Sequence, residues 1–203
     1  MDDSVTLQKI LEAARKEFLA KGFRSASLRN IVKTAGVTTG AFYGYYKSKE
    51  ELFDALVGGQ YEYVINRYKE AHESFARLPI KEQPAQLGKL SEGCMNDILL
   101  HAFEHKEEYR LLLQCSEGTR YSRMIDDMVE IEVEATHKFY GVLEELGSPA
   151  PKIDRRLEHI LATGLLNAYF EMIIHDMPLE EAKLYFHELC DFYTAGWVKI
   201  MGQ

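Results

Sequence analysis

Apolar residues recur at spacings of three and four along almost the whole 203-residue chain, and this spacing is the feature that most restricts its fold. The period places one apolar stripe along an α-helix, whereas a half-buried strand needs strict alternation, and runs of alternating Val, Ile and Thr are absent. The sequence therefore predicts an all-α protein whose helices are separated by Gly and Pro residues.

The first fifty residues predict three short helices. Gly22 supplies a positive-φ stop after the first helix, Ser27 can cap the second, Gly36 ends it, and Thr38 can cap a very short third. The tight glycine-containing turn between the second and third helices is typical of a helix-turn-helix. We therefore predict a helix-turn-helix domain over residues 1–50.

Longer helices are predicted over residues 51–203, beginning at a capping box, Ser48-x-x-Glu51. The last two, over residues 153–175 and 179–200, are joined by so short a linker that they must form an antiparallel hairpin. An apolar hairpin on a chain of this size is often completed by the same hairpin from a second copy. The expected dimer-interface residues are Ile160, Gly164, Ala168, Met172, Phe186, Leu189, Tyr193 and Trp197.

Charge is divided unevenly along the chain, whose formal net charge is −8. Residues 4–49 contain nine basic and two acidic residues, a balance of +7, whereas the chain beyond residue 60 has a balance of −10. A basic head on an acidic body favours two separate partners.

Several classes of protein are disfavoured. Three cysteines without CxxC spacing argue against a disulfide scaffold or zinc ribbon, and the absence of a long apolar run and of a leader-like N-terminus predicts a cytoplasmic protein. The motifs GxSxG, HExxH and the phosphate loop are missing, so we expect neither an enzyme nor a cofactor.

The predicted third helix uses Phe42 and Tyr46 to pack and turns Thr38, Thr39, Gly40, Tyr43, Gly44 and Tyr45 outward. Hydroxyl groups and bare glycine backbone suit close approach to phosphates and base edges in a major groove. Lys47 and Lys49 follow at the next helix start, where backbone amides also favour phosphate. The alternative is an aromatic-rich turn that packs only against its own domain.

At these residues the chain resembles the tetracycline-repressor (TetR/AcrR) family of bacterial transcription regulators. The resemblance covers residues 5–57 and rests on segments that fall in the family's order: Gly22-Phe23, Ser27 to Ile31, Ala35 to Val37, Gly40 to Tyr43, Tyr45-Tyr46 and Lys47 to Phe53. It implies a homodimeric repressor that binds double-stranded DNA at an inverted repeat. A C-terminal domain, here residues 51–203, would dimerise and bind a small-molecule effector that releases the DNA.

The candidate DNA-binding residues are Ser27, Arg29, Thr38, Thr39, Gly40, Tyr43, Tyr45, Lys47 and Lys49. Tyr45 stands where many members of the family have His, and Gly44 where a bulkier contact residue is common. These two departures weaken any assignment of bases at those points.

The middle helices hold Met and aromatic residues with a few polar groups, which is what a small-molecule cavity needs and equally what a core needs. The candidate effector-pocket residues are Met95, Phe103, Cys115, Tyr121, Met124, Met128, Tyr140, Asn167 and Phe170. The acidic surroundings favour a cationic or neutral apolar effector over an anion.

Two further pairs leave alternatives open. His101 and His105 have the i, i+4 spacing that can place two imidazoles on one metal, but no third ligand is identifiable and we predict no metal site. Gly58 and Gly59 lie within a predicted helix and either loosen the link between the two domains or make a contact too crowded for a side chain.

The function predicted from the sequence is therefore a ligand-responsive, DNA-binding transcription regulator, a repressor that acts as a dimer. The alternative is a helical interaction or sensor protein that has kept the fold without sequence-specific DNA binding.

Overall fold

The computed structural model describes residues 3–87, 89–151 and 153–202, and over these ranges the chain is helical without a strand. The all-α class predicted from the sequence is confirmed. The helices are α1 (Asp3–Ser25), α2 (Leu28–Ala35), α3 (Thr39–Tyr45), α4 (Lys49–Ala76), α5 (Gln83–Gln86), α6 (Lys89–Glu104), α7 (Lys106–Gln114), α8 (Met124–Glu145), α9 (Arg155–Ile174) and α10 (Leu179–Ile200), with a 3-10 turn at Arg120–Arg123.

The first helices begin and end where local chemistry predicts. Gly22 interrupts α1 with φ +70°, and Gly36 ends α2 in the left-handed region with φ +67°. The Ser27 side chain accepts a hydrogen bond from the N–H of Asn30 at the start of α2. These caps supply partners for backbone groups that the helix itself leaves unpaired, which fixes where each helix can start and stop.

The chain divides into two compact units. One runs up to Glu62 and also contains His105–Ser122, and the other contains Tyr63–Glu104 and the described chain from Arg123 onward. The boundary that the sequence placed at residue 50 lies inside the first unit, because Phe53 of α4 is fully buried there. The functional division at residue 50 stays a prediction.

An aromatic cluster forms the centre of the first unit. The ring of Phe53 packs edge-on against Phe18 at 5.0 Å between centroids and against Phe23 at 5.3 Å. Each fully buried ring contributes about 1.5–3 kcal/mol of apolar burial. The segment after α7 joins this unit through a hydrogen bond from the Phe23 N–H to the carbonyl of Cys115, 2.8 Å long.

Helices α6, α8, α9 and α10 pack together in the second unit. Tyr169 is fully buried, donates its hydroxyl to the carbonyl of Met95 at 2.7 Å, and packs its ring against Phe170 and Phe186. The predicted hairpin between the last two helices is confirmed, since α9 ends at Ile174 and α10 begins at Leu179.

All three cysteines are free, and Cys94 and Cys115 are buried, as expected of helix-packing thiols. Across the described ranges, the helices are too short or too polar to cross a membrane.

Candidate functional site

The α2–α3 corner is built by the cap of α3. The Thr38 hydroxyl accepts a hydrogen bond from the N–H of Ala41, and Phe42 is fully buried beneath the helix. Tyr46 is buried as well, with its ring 6.0 Å from that of Phe42. These two rings hold a helix of seven residues that is too short to be stable alone.

Burying Phe42 and Tyr46 leaves the opposite side of α3 open. Thr38, Thr39, Gly40, Tyr43 and Gly44, which we call the α3 outer face, are all exposed. The Tyr43 side chain is 52% exposed, which is a high value for a large aromatic residue. A Cβ added at Gly40 or Gly44 would crowd no atom, so the backbone there is open to close approach.

The other candidate DNA-binding residues differ in the exposure and the hydrogen bonding of their side chains. Arg29 and Lys47 are exposed, and the backbone N–H of Lys47 donates to Glu51 Oε2 at 2.6 Å. Ser27 is half-buried and caps α2, with its own N–H donated to Glu17 Oε1. Tyr45 is half-buried at the end of α3. Arg29 and Lys47 therefore offer the more accessible cations.

Lys49 has a structural role that the sequence did not indicate. Its ammonium donates to the carbonyls of Phe23 at 2.7 Å, Arg24 at 3.3 Å and Ala26 at 3.1 Å. The same ammonium lies 4.5 Å from the centre of the Phe23 ring. All three N–H groups are thus used at the C-terminal end of α1, so a phosphate contact from Lys49 would have to replace one of them.

The two histidines with metal-ligand spacing do not share one continuous helix. His101 stacks on Tyr63 within α6, with 3.8 Å between ring centroids, whereas His105 lies at the start of α7. Within the described residues, no group of three His, Cys, Asp or Glu side chains is arranged to hold a metal.

A cavity of about 110 Å³ opens within the second unit. We call it the bundle cavity; apolar side chains form most of its wall, and the polar side chains in it include Tyr68, Glu92 and Glu132. Its described lining consists of Tyr68, Leu87, Glu92, Met95, Glu132, Thr136, Leu165, Leu166, Phe186, Cys190, Tyr193, Thr194, Trp197 and Met201.

Of the nine candidate effector-pocket residues, only Met95 lines the bundle cavity. Cys115 and Tyr121 pack in the first compact unit, which corrects their grouping with the rest. The others lie elsewhere in the second unit: Met124, Met128 and Phe170 are buried, Phe103 is half-buried, Asn167 is exposed and donates to the carbonyl of Thr163, and Tyr140 donates to Glu158.

Glu132 was not among the candidates predicted from the sequence, although its position next to the buried residues of α8 could have indicated it. Met128, Val129 and Val133 form a buried stripe, and Glu132 falls four residues after Met128. A carboxylate at an apolar position of a helix needs a partner, which makes it a candidate for function.

The predicted dimer-interface residues separate into two sets. Ile160 is 63% exposed, but Met172 and Phe186 are buried in the core of their own protomer, so their assignment to the interface is corrected. A Cβ at Gly164 would lie 2.7 Å from the Tyr193 hydroxyl, so this glycine is required by the protomer's own hairpin. Ala168, Leu189 and Trp197 are half-buried.

A different apolar set is exposed on the same two helices. It comprises large side chains that are 43–73% exposed, which we call the hairpin face: Leu157, Ile160, Leu184, Tyr185 and Phe192. Large exposed apolar side chains grouped on two packed helices are typical of a protein–protein contact.

Residues 10–56 match the family model described as bacterial regulatory proteins, tetR family. The chain is 35% identical over 98 residues to the probable HTH-type transcriptional regulator ArpR of Pseudomonas putida, a match covering 48% of this chain and 41% of that protein. It is 34% identical over 68 residues to the HTH-type transcriptional repressor KstR2 of Mycobacterium tuberculosis, covering 34% of each. The matched part thus spans less than half the length of these curated relatives.

Among solved structures, the chain is similar to NalD of Pseudomonas aeruginosa, described as the secondary repressor of the MexAB-OprM multidrug efflux pump. The TM-score is 0.54 at 21% identity, with 96% of this chain and 97% of NalD covered. This likeness extends over both compact units and concerns the fold.

Proposed function

Because its N-terminal domain belongs to the tetR family of bacterial regulatory proteins, we propose that this chain is a cytoplasmic transcription regulator that binds an inverted-repeat DNA site as a homodimer. The observation that carries the proposal is the α3 outer face. It offers hydroxyl groups and open glycine backbone on a short helix that is held firmly from behind by buried rings.

Specificity would come from this face and affinity from nearby cations. Thr39 and Tyr43 can approach base edges or phosphates, while Arg29 and Lys47 flank them with exposed positive charge. In helix-turn-helix dimers, two heads read half-sites about one DNA turn, roughly 34 Å, apart.

The hairpin face supports the dimeric part of the proposal. Phe192 is 73% exposed and Ile160 63% exposed, on the hairpin that the sequence analysis assigned to dimerisation. A second copy would remove both from water, at a gain of about 25 cal/mol for each Å² of apolar surface buried. A two-fold axis makes such a contact self-complementary.

Repression with release by an effector is the form of regulation we propose. KstR2, which is 34% identical to this chain over 68 residues, is named a repressor. The bundle cavity offers a small molecule an apolar enclosure with a few polar groups. An effector bound there would release DNA by favouring an arrangement of the dimer that does not fit the operator.

The test is a mobility shift on the DNA flanking its own gene, with Tyr43→Ala and Lys47→Ala as variants. We expect sequence-selective binding that both variants weaken without loss of thermal stability, because both side chains are exposed. Lys69→Ala is the matched control, since this exposed lysine lies on the part of α4 that belongs to the second unit. Absence of selective binding at moderate salt would overturn the proposal.

A further inference from the structure

The bundle cavity carries negative charge inside an apolar wall. Leu165, Phe186 and Trp197 contribute apolar surface, whereas Glu92 and Glu132 contribute carboxylates. The described residues that line it include no lysine, arginine or histidine. The cavity lining therefore holds two acids and no basic residue, and the histidines that contact these acids, His72 and His187, lie outside the lining.

Glu132 is held by two contacts that reach only one of its oxygens. Tyr68 donates its hydroxyl to Oε2 at 2.5 Å, and His72 Nε2 lies 3.2 Å from the same atom. Among the described residues, no donor reaches Oε1. A half-satisfied carboxylate in a partly buried site favours an incoming hydrogen-bond donor, above all a charged one.

The ionisation of these groups is set by their surroundings. Burial by itself raises the pKa of the Glu132 carboxyl, but the close approach of the His72 imidazole and the hydrogen bond from Tyr68 outweigh it, so the pKa is lowered overall. Burial raises the pKa of the Cys190 thiol to about 12. At neutral pH the carboxylate is therefore charged and the thiol is neutral.

Glu92 adds a second acid to the same enclosure. Its Oε1 lies 2.9 Å from His187 Nδ1, and its side chain is about one-third exposed. A ligand anion in this cavity would meet like charges in a partly dehydrated site, which costs free energy, whereas a cation would meet opposite ones.

We propose that the bundle cavity binds a compact, largely apolar molecule carrying one ammonium group, which donates to Glu132 Oε1 while its apolar body contacts the wall around Trp197. The inference rests on the proposed function in one respect, namely that the bound amine would be the effector that releases DNA. A volume of about 110 Å³ favours a short alkyl or single-ring amine.

The chain provides its own reporter, since its one tryptophan, Trp197, lines the cavity. Butylammonium, butanol and butanoate share one short apolar body and differ in charge, and each is titrated while Trp197 fluorescence is recorded. We expect butylammonium to bind at least about tenfold more tightly than butanol, and butanoate to bind most weakly. Equal or tighter binding of butanoate, or no saturable signal from butylammonium, overturns the inference.

Two variants test which carboxylate produces the preference for a cationic ligand. Glu132→Gln should lower the affinity for butylammonium to that for butanol, and Glu92→Gln should reduce the preference in part. Glu130→Gln is the control, because this glutamate lies on the same helix but is exposed and pairs with Arg155 at 3.6 Å. An unchanged charge preference in Glu132→Gln that keeps its helical circular dichroism contradicts the inference, and Glu92→Gln decides the matter if Glu132→Gln unfolds.

Operator binding, measured in the same samples, separates the two proposals. If butylammonium binds with the expected preference but leaves DNA bound, the cavity inference stands and the effector role fails. If the charge preference is absent while the chain still binds its operator selectively, the inference fails and the proposed function stands.

Discussion

Replacing Lys49 by methionine tests whether this residue stabilises the fold or binds DNA. Methionine keeps an unbranched apolar stem and removes three N–H donors, which leaves the carbonyls of Phe23, Arg24 and Ala26 without this partner. A hydrogen bond to a charged group contributes about 1.5–3 kcal/mol, and water can replace much of this at a half-exposed site. The contact with the Phe23 ring adds about 0.5–1 kcal/mol.

We therefore expect Lys49→Met to lower the free energy of unfolding by about 2–3 kcal/mol. For a chain of this length that corresponds to a fall of roughly 4–12 °C in the midpoint of thermal unfolding. Lys47→Met is the matched control, because its exposed ammonium should change stability by less than about 0.5 kcal/mol. The assay is thermal unfolding by circular dichroism, with operator affinity measured at a temperature where both variants are folded.

The two substitutions should thus have different effects: Lys49→Met lowers stability, whereas Lys47→Met lowers DNA affinity. If Lys49→Met unfolds at the wild-type temperature and loses as much DNA affinity as Lys47→Met, the structural role assigned to Lys49 is refuted. Its ammonium would then contact phosphate, as the sequence analysis predicted.

Three further outcomes follow from contacts in the two units. Phe192→Glu should convert a dimer to a monomer in analytical ultracentrifugation with helix content unchanged, because the side chain is 73% exposed in the protomer. The hydrogen bond to Glu92 raises the pKa of His187 above its ordinary 6.5, so His187→Gln should lower the unfolding midpoint at about pH 5.5 and leave it unchanged at about pH 9. A Cβ at Gly59 meets no atom within 4 Å, so Gly59→Ala should stabilise α4 by about 1 kcal/mol. Gly58→Ala should stabilise it less, because its Cβ would lie 3.2 Å from a tyrosine hydroxyl. A greater rise in the thermal unfolding midpoint for Gly58→Ala than for Gly59→Ala contradicts this.

The helix-turn-helix could be read from the sequence because its boundaries depend on local chemistry. Ser27 and Thr38 cap the helices they precede, and Gly36 takes the positive φ that ends α2. Each of these assignments needs only a side chain and a backbone group within four residues of it. The exposure of Tyr43 followed from the same short periodicity, once Phe42 and Tyr46 were placed inward.

The cavity and the interface could not be read in this way, because they depend on which helices meet. Cys115 accepts a hydrogen bond from Phe23, 92 positions earlier, and Tyr121 packs against Phe53 and Tyr61, 68 and 60 positions earlier. No local pattern encodes these pairings. On α10, Phe186 is buried and Phe192 exposed, and their six-residue spacing places the two rings on different sides of the helix. A helix with apolar residues on more than one side leaves open which side packs in its own protomer and which meets a partner.

Ion pairs within the chain reduce the positive charge that the head can offer to DNA. Of the nine basic residues between positions 4 and 49, Arg15, Lys16, Lys21 and Arg24 pair with carboxylates and Lys49 binds carbonyls. Among the described residues, the four that remain without such a partner are Lys9, Arg29, Lys33 and Lys47.

The salt dependence of operator binding should reflect those four residues rather than the balance of +7. With at most four phosphate contacts in each head, a plot of log K against log salt should have a slope no steeper than about −7 for a dimer, because each contact adds about −0.9. Arg29→Ala should make the slope shallower by about 2, one contact in each head. Arg24→Ala is the control, since Arg24 pairs with Glu117 at 2.7 Å and should leave the slope unchanged. A slope much steeper than −7, or equal effects of the two variants, would mean that these ion pairs open on DNA and that the head uses its full positive charge.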